Sequence, residues 1–430
     1  MKAEGQFLVS NKADATGLSL RISTIEKWLP TLATLWFFVS LDSIVVWNPF
    51  SSVIHLFAAF SIIWGTMVVK PLDLSRKRRF LSLFILIYSL FYIVTQSENL
   101  GFFVKRLCVW FPFVFILFWE KDLLSKTYEC LRKFILFFAI GAAIVSMLSF
   151  AGLIGRIPHF TLPPQEALHE RLGYVYYVYG LFVTIQDPLQ VTAFRACGMM
   201  KEPGHFAVIL GFVYMIDRYQ ERRINWWIII CGVLTFSANF ILFVLFTELR
   251  LAFQLRKVIK STKWVPVIFL GAYLVYVSLP VSYQDQIYNL AYGRNLEKII
   301  EATSESSSFD DALDERANNL PLMVYNRMSF SERILGIGRF DTAYCLSDYR
   351  GMIMTIGWVG LLLSVFITII IIRGVRKDLA LSLFMAYSLV LMHRSWMLFW
   401  PYVYFLSSLT ISIIPSRQQL NIEPLQSYGG

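Results

Sequence analysis

Met352-Ile-Met-Thr-Ile-Gly-Trp-Val-Gly-Leu-Leu-Leu-Ser-Val-Phe-Ile-Thr-Ile-Ile-Ile-Ile372 carries no charge and ends against Arg373. About 20 such residues are what a helix needs to cross the hydrocarbon core of a bilayer. A helix is the expected form, because it satisfies its own backbone in lipid, whereas barrel strands would alternate rather than run apolar. Similar runs recur along the chain. The whole sequence is 57% hydrophobic and 16% charged, with a mean hydropathy of +0.57. A soluble domain would carry about 25% charged residues. The expectation is an all-α polytopic membrane protein with about twelve transmembrane helices.

Charge in the short loops sets the expected orientation. Basic residues follow every second span: Arg76 to Arg79, Lys121 to Lys133, Arg218 to Arg223, Arg250 to Lys263, and Arg373 to Lys377. Both termini then lie in the cytoplasm. The expected division is a cytoplasmic tail 1–28, helices 1–5 in 29–154, and a first outer loop 155–202. Helices 6–9 follow in 203–281, then a large outer loop with helices in 282–351, helices 10–12 in 352–414, and a cytoplasmic tail 415–430. Within 225–254, Thr235-Phe-Ser-Ala-Asn239 reads as a tight turn between two helices. The net charge of +10 is thereby accounted for by topology, and no nucleic-acid partner is expected.

At the end of the first outer loop lies Arg195-Ala-Cys-Gly-Met-Met-Lys-Glu-Pro-Gly-His-Phe-Ala207. Pro203 suits a first helical position, where a missing N–H costs nothing. Glu202 sits beside the free amides and positive end of that helix. It reads either as a cap or as a general base for a substrate hydroxyl. In the second loop, Arg316, Leu320, Met323 and Arg327 follow helical spacing. Arginine offers a planar fork of donors that matches phosphate, so Arg195, Lys201, Arg316 and Arg327 are candidates for a diphosphate, or else solvated loop charges. Lys105 and Arg106 read as snorkelling residues or phosphate ligands. Asp42, without a local partner, is expected to face the bundle interior.

Glu166-Ala-Leu-His169 and Glu202-Pro-Gly-His205 match a Glu-x-x-His pattern, but neither has the extra carboxylates of a di-iron site, so no metal is expected. The five cysteines lack paired metal or redox spacing and read as buried small residues.

Arg195-x-x-Gly198-x-x-x-Glu202-Pro203, leading into a span, resembles the first-loop motif of the O-antigen ligase/polymerase superfamily. The second loop is similar in outline: Arg316, then Leu335-Gly-Ile-Gly338, then Ser347-Asp348-Tyr349, then Ile356-Gly357-Trp-Val-Gly360. Leu234-Thr-Phe-Ser237 resembles a Ser-Arg turn of the family, with Ala238 where arginine is usual. The resemblance implies a GT-C-like bundle with two large extracytoplasmic loops, in a bacterial inner membrane. Its implied activity is that of a Wzy-type polymerase, a glycosyltransferase joining undecaprenyl-diphosphate-linked oligosaccharide repeat units without metal or cofactor. Arg195 and Arg316 would bind the diphosphate or its departing charge, and Glu202 or Asp348 would activate the acceptor. Arg106, Lys201, Arg327 and Tyr344 complete the expected substrate-binding set. A chain-length regulator and a flippase are implied partners, beside membrane lipid. The alternatives are a transporter or flippase for the lipid-linked oligosaccharide, and an O-antigen ligase. The ligase branch uses a histidine in the later outer loop, and residues 339–351 contain none.

Overall fold

The computed structural model of the protein describes residues 24–41, 51–153, 156–162, 175–186, 194–254, 284, 319–338 and 346–413, apart from 71, 74, 98–99, 201, 221–223 and 347. It is mostly helical. Helix α1 covers 24–40. It is followed by α2 (Ser51–Val69), α3 (Arg76–Gln96), α4 (Leu100–Ile116) and α5 (Lys121–Phe150). Four strands come next: β1 (Phe160–Leu162), β2 (Val175–Tyr179), β3 (Phe182–Gln186) and β4 (Phe194–Gly198). Then come α6 (Pro203–Gln220), α7 (Trp226–Leu234), α8 (Ala238–Gln254), α9 (Asn319–Arg327) and α10 (Phe330–Leu335). The chain closes with α11 (Tyr349–Gly374), α12 (Lys377–His393), a 3₁₀ turn (Ser395–Phe399) and α13 (Pro401–Ile413).

Helices α3, α5 and α11 are long and apolar enough to cross a membrane. Val53–Val69 and Leu379–His393 are apolar but shorter. Their outward faces stay greasy, with Phe57, Phe60 and Trp64 on α2 and Leu362 and Phe366 on α11 all exposed. Such faces suit hydrocarbon better than water. The break expected in 225–254 is present as the turn 235–237. Helix α7 has only nine residues, about 14 Å of rise, which is too short to span a bilayer by itself. Residues 255–281, which hold the last of the expected helices 6–9, and Asp42 lie outside the described residues.

The mostly helical chain is not helical throughout: among the described residues of 155–202, the four strands form an antiparallel sheet in the order β1-β2-β3-β4. Tyr179 pairs with Phe182 across the two-residue loop Gly180-Leu181, and Gly180 has a φ of 63°, a conformation that tight hairpins require. On one face Tyr176, Val178, Val183, Ile185 and Cys197 form a small core. On the other, Phe182 lies on Phe137 and Phe138 of α5. The sheet marks one end of the bundle, called the sheet end below; the bridge between Leu72 and Trp119 marks the opposite, basic end.

Helix α6 is the hub. Its sequence is apolar all round, and apart from Arg218 and Gln220 every residue in it is buried, as a helix surrounded by others must be. Its last turn reaches three neighbours with three consecutive side chains. Asp217 pairs with Arg132 of α5 at 3.0 Å and accepts from Tyr128 at 2.7 Å. Arg218 pairs with Glu248 of α8 at 2.6 Å. Tyr219 meets Ser382 of α12 at 2.9 Å. Elsewhere the core is aromatic, with Trp36 edge-on to Phe405 and Tyr88 against Trp110 and Tyr404.

Helix α11 is broken at Gly357, where φ is 64° and ψ −176°. The break frees carbonyls that other segments use. Ile337 N–H donates to Met354 O at 2.7 Å, and the Gln96 side chain of α3 donates to Thr355 O at 2.7 Å. A Cβ on Gly357 would run into Ile334 O, and one on Gly336 into Thr355 O. The Gly336-Ile-Gly338 loop thus docks backbone to backbone on the kink. Gly357→Ala is expected to cost about 2–4 kcal/mol, combining the left-handed penalty with overpacking. Gly152→Ala is the control, because Gly152 has a φ of 68° with nothing within 4 Å of its Cβ position. Thermal unfolding in detergent should show a clearly larger loss for Gly357→Ala; equal losses would remove the clash from the account.

Candidate functional site

The Arg195–Ala207 stretch enters α6 at the sheet end. Pro203 is the first residue of α6, and Glu202 O accepts from the N–H groups of His205 and Phe206 at 3.1 and 3.2 Å. The Glu202 side chain forms an ion pair and hydrogen bond with Arg394, which precedes the 3₁₀ turn. Arg394 can lie over the first turn of α6 because residue 204 is glycine; a Cβ there would strike its guanidinium group. Both partners remain about one-fifth exposed, so the pair faces a partly open space. Arg394 Nε is buried and has no hydrogen-bond partner, which leaves one directed donor unspent.

The next residue connects this pair to a second. Ser395 Oγ donates to Asp348 O. Asp348 caps α11, accepting from Arg350 N–H at 2.8 Å, and its carboxylate is forked by the Arg350 guanidinium at 2.9–3.2 Å. Both side chains are buried. Removing a charge from such a pair would strand the other, so Asp348 serves here as a cap and counter-ion. Arg350 lies 6.0 Å from the Tyr325 ring centroid, and Arg333 approaches the same ring to 5.3 Å.

The remaining expected site residues are placed as follows. Arg195 donates to Thr235 O at 3.1 Å and Phe236 O at 3.3 Å, so it holds the α7–α8 turn, satisfying carbonyls that a helix end leaves open. Arg106 reaches Ser97 Oγ at 3.4 Å and stacks over Tyr92 and Phe102. Arg327 is exposed at the end of α9. Lys201, Arg316 and Tyr344 lie outside the described residues, and with Arg316 goes the expected convergence of Arg195 and Arg316.

His205 is fully buried against the rings of Trp396 and Tyr402, while Glu202 turns to Arg394, so the Glu-x-x-His pair is split between two environments. Glu166 and His169 lie outside the described residues, among which no group of three metal-type ligands occurs. Burial pushes the Cys197 thiol well above its ordinary range, with Arg195 opposing in part. It therefore stays a protonated, packed side chain rather than a thiolate nucleophile. Burial also pushes the Tyr179 hydroxyl up to about 12, so it can donate but not act as a phenolate near neutral pH.

Three residues of this region escaped sequence reasoning: Arg394, Arg350 and Arg333. Each is a basic residue on the expected outer side, where charge-biased topology predicts few. That excess was the available signal. No protein-family model matches the chain, and neither does any curated protein or solved structure, so the site stands on its own residues.

Proposed function

We propose that the protein is a bacterial inner-membrane glycosyltransferase of GT-C-like architecture, with about twelve spans and both termini cytoplasmic. Its reaction joins undecaprenyl-diphosphate-linked oligosaccharide repeat units into a polysaccharide at the outer face. One observation carries most of the weight: two arginine–carboxylate pairs, Glu202–Arg394 and Asp348–Arg350, are joined through the 394–395 turn at one end of an apolar helical bundle. The ordered motifs around Arg195, Gly336 and Gly357 add to it. Catalysis at such a site is electrostatic. The unspent donor of Arg394 stabilises charge developing on the departing diphosphate. Glu202 accepts the proton of the attacking sugar hydroxyl, and its pairing with Arg394 holds the carboxylate in place. Arg350 and Asp348 hold the start of α11 and hence the kink beneath the site.

Reconstituted protein supplied with undecaprenyl-diphosphate-linked repeat units is expected to yield a ladder of longer chains on the same carrier. Sugar moved to a different acceptor would indicate a ligase. Movement across the bilayer without extension would indicate a flippase. The close fit of Arg394 over Gly204 provides a finer test. Gly204→Ala displaces the flexible end of Arg394 rather than backbone, and alanine is the better helix former by up to ~1 kcal/mol. Chain extension should therefore fall about tenfold while the melting temperature holds or rises. A fall in melting temperature together with activity would make the contact structural.

A further inference from the structure

Glu202-Pro-Gly-His205 has a metal-type spacing, and the function proposed above gives its histidine no part. Residues three apart at a helix start diverge by about 60° around the axis. Glu202 and His205 therefore leave the first turn of α6 on neighbouring sides. Both meet the segment that joins α12 to α13. Glu202 takes the Arg394 guanidinium group, and Gly204 leaves that group room to lie on the helix. His205 meets Trp396 in a T-shaped contact at 5.4 Å and 89°, and Tyr402 at 4.8 Å. The imidazole ring is fully buried, so close packing fixes where it stands.

The 3₁₀ turn that follows Arg394 is held from several helices. Its own backbone bonds include Met397 N–H to Arg394 O at 3.0 Å, and such short turns are weakly bonded by themselves. Its far part rests on α3, where Tyr88 donates to Leu398 O at 2.9 Å and Tyr92 stacks on Phe399 at 5.7 Å and 13°. Ser395 is tied to Asp348 O at the start of α11. His205 holds Trp396, two residues from Arg394, from the α6 side. A reacting group misplaced by about 1 Å can cost as much as a hundredfold in rate, so the contact that seats this part of the turn bears on the arginine it carries.

We propose that His205 is a positioning residue for Arg394. It acts by holding Trp396 at the start of the 3₁₀ turn and Tyr402 beyond it. Glu202-Pro-Gly-His205 is then a cradle for one arginine rather than half of a metal site. It supplies a carboxylate to pair the guanidinium group, a bare helix surface to seat it, and a ring to fix the turn that carries it. The kinetic consequence rests on the glycosyltransferase reading; the placement of the turn does not.

The experiment uses the full-length protein in phosphatidylcholine nanodiscs, supplied with undecaprenyl-diphosphate-linked repeat units. His205→Ala should lower kcat about thirtyfold and leave KM within about twofold, because a displaced arginine loses contact with the transition state rather than with bound substrate. His205→Phe keeps a ring against Trp396 and Tyr402 and should return kcat to within about threefold of wild type. Trp396→Leu should reproduce the alanine effect, and the double change should lose little more than either single change. Should His205→Ala not fold, Trp396→Leu against His205→Phe gives the same contrast. Backbone hydrogen exchange over 394–400 reads the turn without any reaction: it should quicken in His205→Ala and match wild type in His205→Phe. Wild-type kcat in His205→Ala, no recovery with phenylalanine, or additive losses in the double variant would each overturn the positioning role. If wild type extends no chains while exchange over 394–400 follows the ring at 205, the glycosyltransferase reading fails and the placement of the turn stands. If wild type extends chains while kcat and exchange ignore residue 205, the positioning role fails and that reading stands.

Discussion

Arg394→Ala is expected to lower chain extension at least a hundredfold. Removing one preorganised donor aimed at developing charge commonly costs about 3–4 kcal/mol, or 10² to 10³ in rate. Here the loss is compounded, because Glu202 then sits partly buried at the start of α6 without its counter-ion. Arg394→Lys should recover only part of the activity: the ammonium has three donors on one nitrogen, and it lacks the fixed, separated donors of the planar guanidinium fork. Glu202→Gln separates the two roles of the carboxylate. If Glu202 accepts the proton, glutamine is as damaging as loss of Arg394; if Glu202 only anchors the arginine, a large fraction of activity survives. The measurement is polymer length and initial rate from purified protein, with melting temperature as the control. Full-length polymer from Arg394→Ala would exclude the pair from the reaction.

Asp217→Ala should be the most destabilising single change at the basic end. Asp217 is buried, while Arg132 is one-quarter exposed. Stranding one member of such a pair costs about 3–5 kcal/mol, with the lower end applying where water reaches the arginine. The Tyr128 hydroxyl loses its 2.7 Å acceptor at the same time and keeps Val213 O at 3.5 Å. Because Asp217, Arg218 and Tyr219 tie α6 to three different helices, the loss loosens the hub rather than one contact. The double change Arg132→Ala with Asp217→Ala should be milder than the sum of the two singles, since it strands neither charge. Thermal or denaturant unfolding in detergent reads both. An Asp217→Ala melting curve that overlays wild type would show that α6 is held by apolar packing alone.

Much of the helical framework was legible because it depends on local properties. The uncharged run 352–372 falls inside α11, and Pro203 opens α6 where the missing N–H predicts it. The turn at 235–237 was visible as Thr-Phe-Ser within a hydrophobic stretch too long for one helix. The sheet was not legible, although Val175-Tyr-Tyr-Val-Tyr179 is rich in strand-forming residues. Burial does alternate along the start of β2, with Tyr176 and Val178 buried and Val175 and Tyr177 half-buried, but both sets of side chains are apolar or aromatic, so no polar–apolar alternation marks the strand in the sequence. The prolines and polar residues nearby then read as loop.

The candidate site divides along the same line. Glu202 and Arg195 stood out by their position beside a helix start. Their partners did not: Glu202 meets a residue 192 positions away, and Arg195 turned out to hold a neighbouring helix end. The sequence by itself marked the apolar runs that become the three helices, among the described residues, long enough to cross a membrane and the start of α6 at Pro203, because hydrophobic length and capping act over a few residues. Only the tertiary structure decided which arginines are neutralised and which keep donors to offer. An ion pair depends on which chain segments are brought together, and the packing of α6 against the α12–α13 turn sets that for Glu202 and Arg394.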